Sequence, residues 1–180
     1  RRKRQYQLSD DESWSLHVAR LMIGGKIQNY RNILKRYIRD YGENENINRA
    51  VQVLEHAKRE ALATQDKTTL IGYEGMASNA YFEVLPVLIL NQKADFPFHG
   101  RNRRPPKDAV NAMLSFAYTL IANDTSAALE TVGLDPYVGF LHTLRPGRTS
   151  LALDMMEELR AYLGDRFVLS LINKRQITCL

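Results

Sequence analysis

The chain has 180 residues, 44% of them apolar and 25% charged, with a net charge of +5 and a pI near 9.4, which fits one soluble globular domain with a substantial core. Its longest uninterrupted apolar run, Val84 to Leu90, contains Pro86 and falls far short of the roughly 20 residues a membrane span needs. The only cysteine, Cys179, excludes an intrachain disulfide; no charged-then-apolar signal segment is present, and a reducing cytoplasm is the expected compartment.

The positive charge is clustered, which points to a polyanionic partner more than the total does. Arg1 to Arg4 open the chain; Lys35, Arg36 and Arg39 share a helical segment; Arg101, Arg103, Arg104 and Lys107 follow, and then Arg145 and Arg148. The first residue is Arg1 rather than methionine, so the 1–180 domain is expected to be part of a longer protein.

In chain order, Ser9 and Asp10 are expected to cap a long helix whose apolar stripe is Ile23, Ile27, Tyr30, Leu34, Tyr37 and Tyr41, bent at Gly24 and Gly25 and ended by Gly42. A second helix, from about Asn46 to Ala63, carries Ile47, Ala50, Val51, Leu54, Ala57 and Leu62 on one face. After the polar "TQDKT", the stretch "LIGYEGMASNAYFEVLPVL" places Leu70, Ala77, Tyr81, Val84 and Leu88 on one stripe, and Glu74 occupies its missing step. Gly72 and Gly75 flank that carboxylate, although a mid-helix glycine costs about 1 kcal/mol relative to alanine.

"NQKADFPFHGRNRRPPKD" reads as a long exposed loop that ends where Pro105 and Pro106 precede a new helix. Ala109 to Ile121 is expected as an apolar helix, "NDTSAALETVG" as a short capped helix closed by Gly133, and "LDPYVGFLHTLRPGR" as a turn-rich connection. Helices from about Ser150 to Leu163 and about Arg166 to Ile172 complete the chain. No internal repeat, low-complexity tract or strand alternation appears, and the fold class is all-α.

Among the histidines, His17, His56 and His99 read as surface or packing residues. His142 differs, because the helix after it carries Asp154, Glu157 and Glu158. Asp154 and Glu157 are one turn apart and can converge on one point. One imidazole with two or three carboxylates suits Mg2+ or Mn2+ better than structural zinc; a solvated acidic face beside Arg160 is the alternative. Glu74, buried alone, would be expected to protonate, so it calls for a partner: a metal, Arg148 or another basic residue. No Glu-x-x-His or His-Glu-x-x-His occurs, which removes a di-iron bundle and a zincin, and Cys179 lies too near the end to weigh as a nucleophile. Arginines to hold phosphates, beside oxygen ligands for a cation, suggest phosphodiester chemistry.

"GYEGMASNAYF", "FHGRNRRPPKDAVNAMLSFAYTLI", "GLDPYVGFLHTLRPGRTSLALDMMEELR" and "LINKRQ" together resemble the helical catalytic domain of the CRISPR adaptation integrase, over about Ser13 to Gln176. The resemblance implies a Mg2+ or Mn2+ site of Glu74, His142 and Glu157, with Asp154 as an additional ligand or orienting group. It further implies metal-assisted attack of a 3′ hydroxyl on a phosphodiester at the edge of a repeat, and cutting of branched DNA. Arg101, Arg103, Arg104, Arg145 and Arg148 would hold phosphates, and Tyr118 would either approach the substrate or pack in the core. DNA, a small adaptation-complex subunit and a second copy would be the partners, in a prokaryotic cytoplasm. The family's usual β-rich N-terminal domain has no counterpart here. The competing reading is a basic helical module that binds nucleic acid without cutting it; an all-α scaffold with no nucleic-acid role ranks third.

Overall fold

The long helix starts at Asp11, whose side chain accepts the Trp14 backbone N–H at 3.0 Å, and not at Ser9 or Asp10. In the computed structural model, which describes residues 1–178, those two residues end a separate helix, α1 (Arg2–Asp10). Gln5 docks α1 by donating to the Asp135 and Val138 carbonyls and accepting the Asp135 N–H, each at 2.8 Å. Then α2 (Glu12–Tyr41) runs unbroken through Gly24 and Gly25. These glycines permit close packing, not the expected bend. A Cβ on Gly25 would lie 1.8 Å from Glu158 Oε1, and one on Gly24 would lie 2.8 Å from Leu62 Cδ2.

Side-chain caps also start the next helices: Asn44 for α3 (Glu45–Ala63), Asp66 for α4 (Lys67–Leu88) and Asp108 for α5 (Ala109–Thr131). The stripes meet as expected. Ile23, Ile27, Tyr30 and Leu34 of α2 are buried against Ile47, Leu54 and Ala57 of α3 and Leu70, Ala77, Tyr81 and Leu85 of α4. Each large aliphatic chain so buried contributes about 1.5–3 kcal/mol. Tyr30 stacks on Tyr81 with ring centroids 3.9 Å apart. Tyr41 and Leu62, at the ends of their stripes, are exposed instead.

The stretch after Ile121 is not a separate helix, because α5 continues through Asn123 and Asp124 to Thr131. Both polar residues lie on its exposed side, while Leu129 carries the buried face onward, so neither has reason to start a new helix. Gly133, at φ +76°, does close it. The arginine loop is less exposed than expected: Phe96 and Phe98 anchor it in the core. The fully buried Asn111 accepts from Arg101 Nη1 (2.8 Å) and the Asn102 N–H (3.0 Å), and donates to the Gly100 carbonyl (2.9 Å).

The expected last-but-one helix ends early. α6 (Ser150–Leu159) gives way to a π-helical turn, Arg160–Asp165, before α7 (Arg166–Asn173), and the Arg166 N–H reaches the Ala161 carbonyl five residues back. The wider turn buries both of its ends, Arg160 and Asp165. Gly164 lets Tyr118 approach, since a Cβ there would lie 2.9 Å from the Tyr118 ring. No strand occurs among the described residues, and no helix is long and apolar enough to cross a membrane. Cys179 lies outside the described residues.

Asp165 Oδ1 accepts the Tyr118 hydroxyl at 2.5 Å. Burial raises its pKa from the ordinary 3.8 to about 6, against the Tyr118 and Tyr81 hydroxyls that favour the anion. A raised carboxyl pKa means the folded state binds the proton more tightly. Stability from this group is therefore complete below about pH 4 and lost as pH rises through about 6. Asp165→Asn, which keeps the acceptor and never ionises, is expected to gain about 3 kcal/mol at pH 8 relative to its effect at pH 4. Urea unfolding at both pH values tests this; an equal effect at the two would contradict it.

Candidate active site

The partner of Glu74 is Lys26, from α2. Its ammonium ion-pairs with Glu74 Oε1 and lies 2.7 Å from Glu157 Oε2, joining α2, α4 and α6 at one buried point. The Lys26 side chain is 2% exposed, Glu157 6% and Glu74 25%, so Glu74 is half-buried, and the basic partner its place on the stripe called for is Lys26, not Arg148. Ser78, one turn along α4, donates to Glu74 Oε1 at 2.7 Å, and Arg160 Nη2 lies 3.1 Å from Glu157 Oε1. Burial opposes the charge on Lys26, but Tyr30, Glu157 and Glu74 outweigh it and raise its pKa above the ordinary value. Burial likewise raises the Glu157 pKa, and Lys26, Arg160 and His142 bring it below the usual range. Both groups are therefore charged at neutral pH.

Asp154 and Glu157 do not converge on one point, contrary to the expectation from their spacing. Asp154, fully buried, accepts the backbone N–H groups of Phe140 (2.6 Å), Leu141 (2.9 Å) and His142 (3.0 Å), and its Oδ1 lies 2.6 Å from His142 Nδ1. It shapes the 140–142 turn and fixes one imidazole nitrogen, leaving Nε2 to face a ligand. Gly139 is required here: a Cβ would lie 2.5 Å from Asp154 Oδ2 and 2.9 Å from the Ser150 carbonyl carbon. Glu158 packs over Gly25 of α2. His17, His56 and His99 are exposed, as expected of surface residues.

Among the described residues, no three His, Cys, Asp or Glu groups approach closely enough to enclose a metal ion. The donor set nevertheless fits one. Glu74 and Glu157 already converge on a single cation, and the buried Glu157 Oε2, though close to Lys26 Nζ, has no partner of hydrogen-bonding geometry. Both carboxylates and His142 Nε2 are the residues that would hold a dication, and carboxylate oxygen with imidazole nitrogen suits Mg2+ or Mn2+. Gly72 and Gly75 border open space, with nothing within 4 Å of an added Cβ at either.

The basic loop lies beside this centre. Arg101, Arg103 and Arg104 line a cavity of about 260 Å³ together with Tyr118 and Arg160. Tyr118 is thus both a core residue, 8% exposed with its hydroxyl on Asp165, and part of the cavity wall. Arg145 and Arg148 sit on the loop between His142 and α6, exposed and half-buried respectively. Lys26, Arg160 and Asp165 carry no motif of their own. Lys26 alone had a signal, because it falls within the Ile23, Ile27, Tyr30 stripe where a cation needs a buried anion.

The architecture is that of the helical domain of Cas1 proteins. It superposes on TM1797, a Cas1 protein from Thermotoga maritima, with a TM-score of 0.81 and 29% identity, over 97% of this chain and 53% of that one. It also superposes on a casposase bound to integration product, with a TM-score of 0.77, 27% identity and 96% of this chain covered against 49% of that one. The family described as CRISPR associated protein Cas1 matches residues 1–179, and the chain belongs to it. A CRISPR-associated endonuclease Cas1 from Leptospira interrogans is 45% identical over 98% of this chain and 70% of its own length. A CRISPR-associated endonuclease Cas1 from Chlorobaculum tepidum is 48% identical over 98% of this chain and 52% of its own length. The chain thus spans between about half and 70% of these relatives.

Proposed function

We propose that this domain is the catalytic part of a metal-dependent DNA endonuclease and integrase of CRISPR adaptation, within a longer protein. The convergence of Glu74 and Glu157 on one cation, beside an imidazole oriented by Asp154, carries the reading. In it Glu74, Glu157 and His142 hold Mg2+ or Mn2+. When bound, the dication supplies Lewis-acid activation of the attacking oxygen and neutralises charge on the phosphate. Asp154 keeps His142 aimed, Arg160 keeps Glu157 ionised, and Arg101, Arg103, Arg104, Arg145 and Arg148 hold the strand. The substrate is a captured DNA segment whose 3′ hydroxyl attacks a repeat-edge phosphodiester. Relatives named as endonucleases and a neighbour solved with an integration product support cutting and joining. Neighbours titled Cas6-RT-Cas1--Cas2 complexes support a small partner subunit. A homodimer and a prokaryotic cytoplasm complete the reading.

Electron paramagnetic resonance of Mn2+ with the purified chain tests it. One saturable site is expected, weakened at least tenfold in Glu74→Ala and His142→Ala with helicity retained. One observation favours the alternative, a nucleic-acid-binding module that does not cut: Lys26 and Arg160 already balance Glu74 and Glu157 without a metal. Binding absent, or unaltered by both substitutions, would select that module.

A further inference from the structure

The three side chains proposed to hold the dication come from three parts of the fold. Glu74 is on α4, Glu157 on α6, and His142 on the turn that precedes α6. Asp154 shares α6 with Glu157, and by accepting the Leu141 and His142 N–H groups it keeps the turn in step with that helix. The link to α4 runs through another residue. Lys67, the first residue of α4, donates from Nζ to Ser15 Oγ at 2.8 Å. Ser15, on α2, donates in turn to the Phe140 carbonyl at 2.9 Å, two residues before His142.

The chemistry of the groups fixes the direction of this chain. An ammonium has donors only, so the serine oxygen accepts from Lys67 and its single proton goes to the carbonyl. Ser15 is 2% exposed, and a carbonyl facing so sheltered a hydroxyl would lose its donor without water to replace it. Placement follows the pattern of the centre itself. Ser15 and Lys26 lie about three turns apart on one face of α2, and Lys67 and Glu74 about two turns apart on one face of α4. The Lys67–Ser15 bond is therefore a second rung between the faces that Lys26 and Glu74 join, and this rung carries the His142 turn. Phe140 also packs on the apolar cluster of Met22, Leu129, Leu151 and Ala152, which holds its ring but offers its carbonyl no donor.

We infer that Ser15 is a positioning residue of the candidate active site: through the Phe140 carbonyl it sets the His142 turn against the two helices that carry Lys26 and Glu74. Asp154 registers the imidazole with Glu157, and the Lys67–Ser15 rung registers it with Glu74. The consequence for metal binding rests on the function proposed above; the hold on the turn does not, so it is tested first in EDTA.

Amide hydrogen exchange of the whole chain is followed by NMR without metal. In Ser15→Ala the Leu141 and His142 amides are expected to exchange about tenfold faster or more, beyond any change at the buried Leu54 and Ala57 of α3, which report global stability. Lys67→Met removes the outer donor and leaves the Ser15–Phe140 bond, so it should give a smaller change of the same pattern; it keeps the test decisive if Ser15→Ala does not fold. With Mn2+, pulsed electron paramagnetic resonance should show the imidazole nitrogen coupled to the metal in the unsubstituted chain. In Ser15→Ala that coupling should weaken and Mn2+ affinity fall about tenfold. Turn amides that speed up no more than those of α3, or nitrogen coupling and affinity unchanged in a folded Ser15→Ala, would overturn the inference. An unsubstituted chain that binds no Mn2+ would contradict the metal reading instead, and the exchange rates would still decide whether Ser15 holds the turn.

Discussion

Lys26→Met is expected to lower the stability of the metal-free domain by about 3–5 kcal/mol, the cost of removing one partner from a buried ion pair. The ammonium is the cation shared by Glu74 and Glu157, and without it Arg160 alone faces two carboxylates. One of them must then protonate or the helices must separate. Mn2+ supplies the missing charge, so its addition should raise the unfolding midpoint of Lys26→Met by more than it raises that of the unsubstituted chain. Urea unfolding with EDTA and with Mn2+ makes the comparison. Equal metal-induced gains in the two proteins would show that the ammonium and the dication do not share a position.

Asp154→Ala is expected to reduce Mn2+ affinity 10- to 100-fold and to destabilise the domain by about 3 kcal/mol or more. Three backbone N–H groups and His142 Nδ1 lose their acceptor together, although Asp154 itself is not assigned to the metal. Asp154→Asn separates the two effects. It fills the same volume next to Gly139, but an amide has only one oxygen for these donors. Its loss of metal affinity should therefore approach that of the alanine variant while its loss of stability is smaller. Isothermal titration with Mn2+ and thermal unfolding measure the pair; metal affinity unchanged in both variants would remove Asp154 from its role in aiming His142.

Much of the helical frame was legible in the residue order because amphipathic periodicity is a local property. Ile23, Ile27, Tyr30 and Leu34, and likewise Leu70, Ala77, Tyr81, Val84 and Leu88, are buried as their spacing requires. Helix ends were read less well. Asn123 and Asp124 have the chemistry of caps, yet they ride on the open side of α5, and Asp11 took the cap expected of Ser9 or Asp10. The π-helical turn had no sequence signal, since it follows from burying Arg160, Asp165 and the face of Gly164 at once.

The residues of the site divide in the same way. Glu74 stood out because a carboxylate on an apolar stripe violates the pattern, and His142 because acidic residues follow it. What Glu74 pairs with could not be read, because Lys26 lies 48 residues away and only the packing of α2 on α4 joins them. Asp154 and Glu157, one turn apart, looked interchangeable as ligands. The fold assigns one to the 140–142 turn and the other to Lys26. Sequence alone therefore determined an all-helical chain, a basic loop and the residue types of its chemistry, all of which depend on composition and short-range period. Tertiary structure decided which charges meet, because ion pairing and desolvation depend on distances set by helix packing, to which order along the chain is blind.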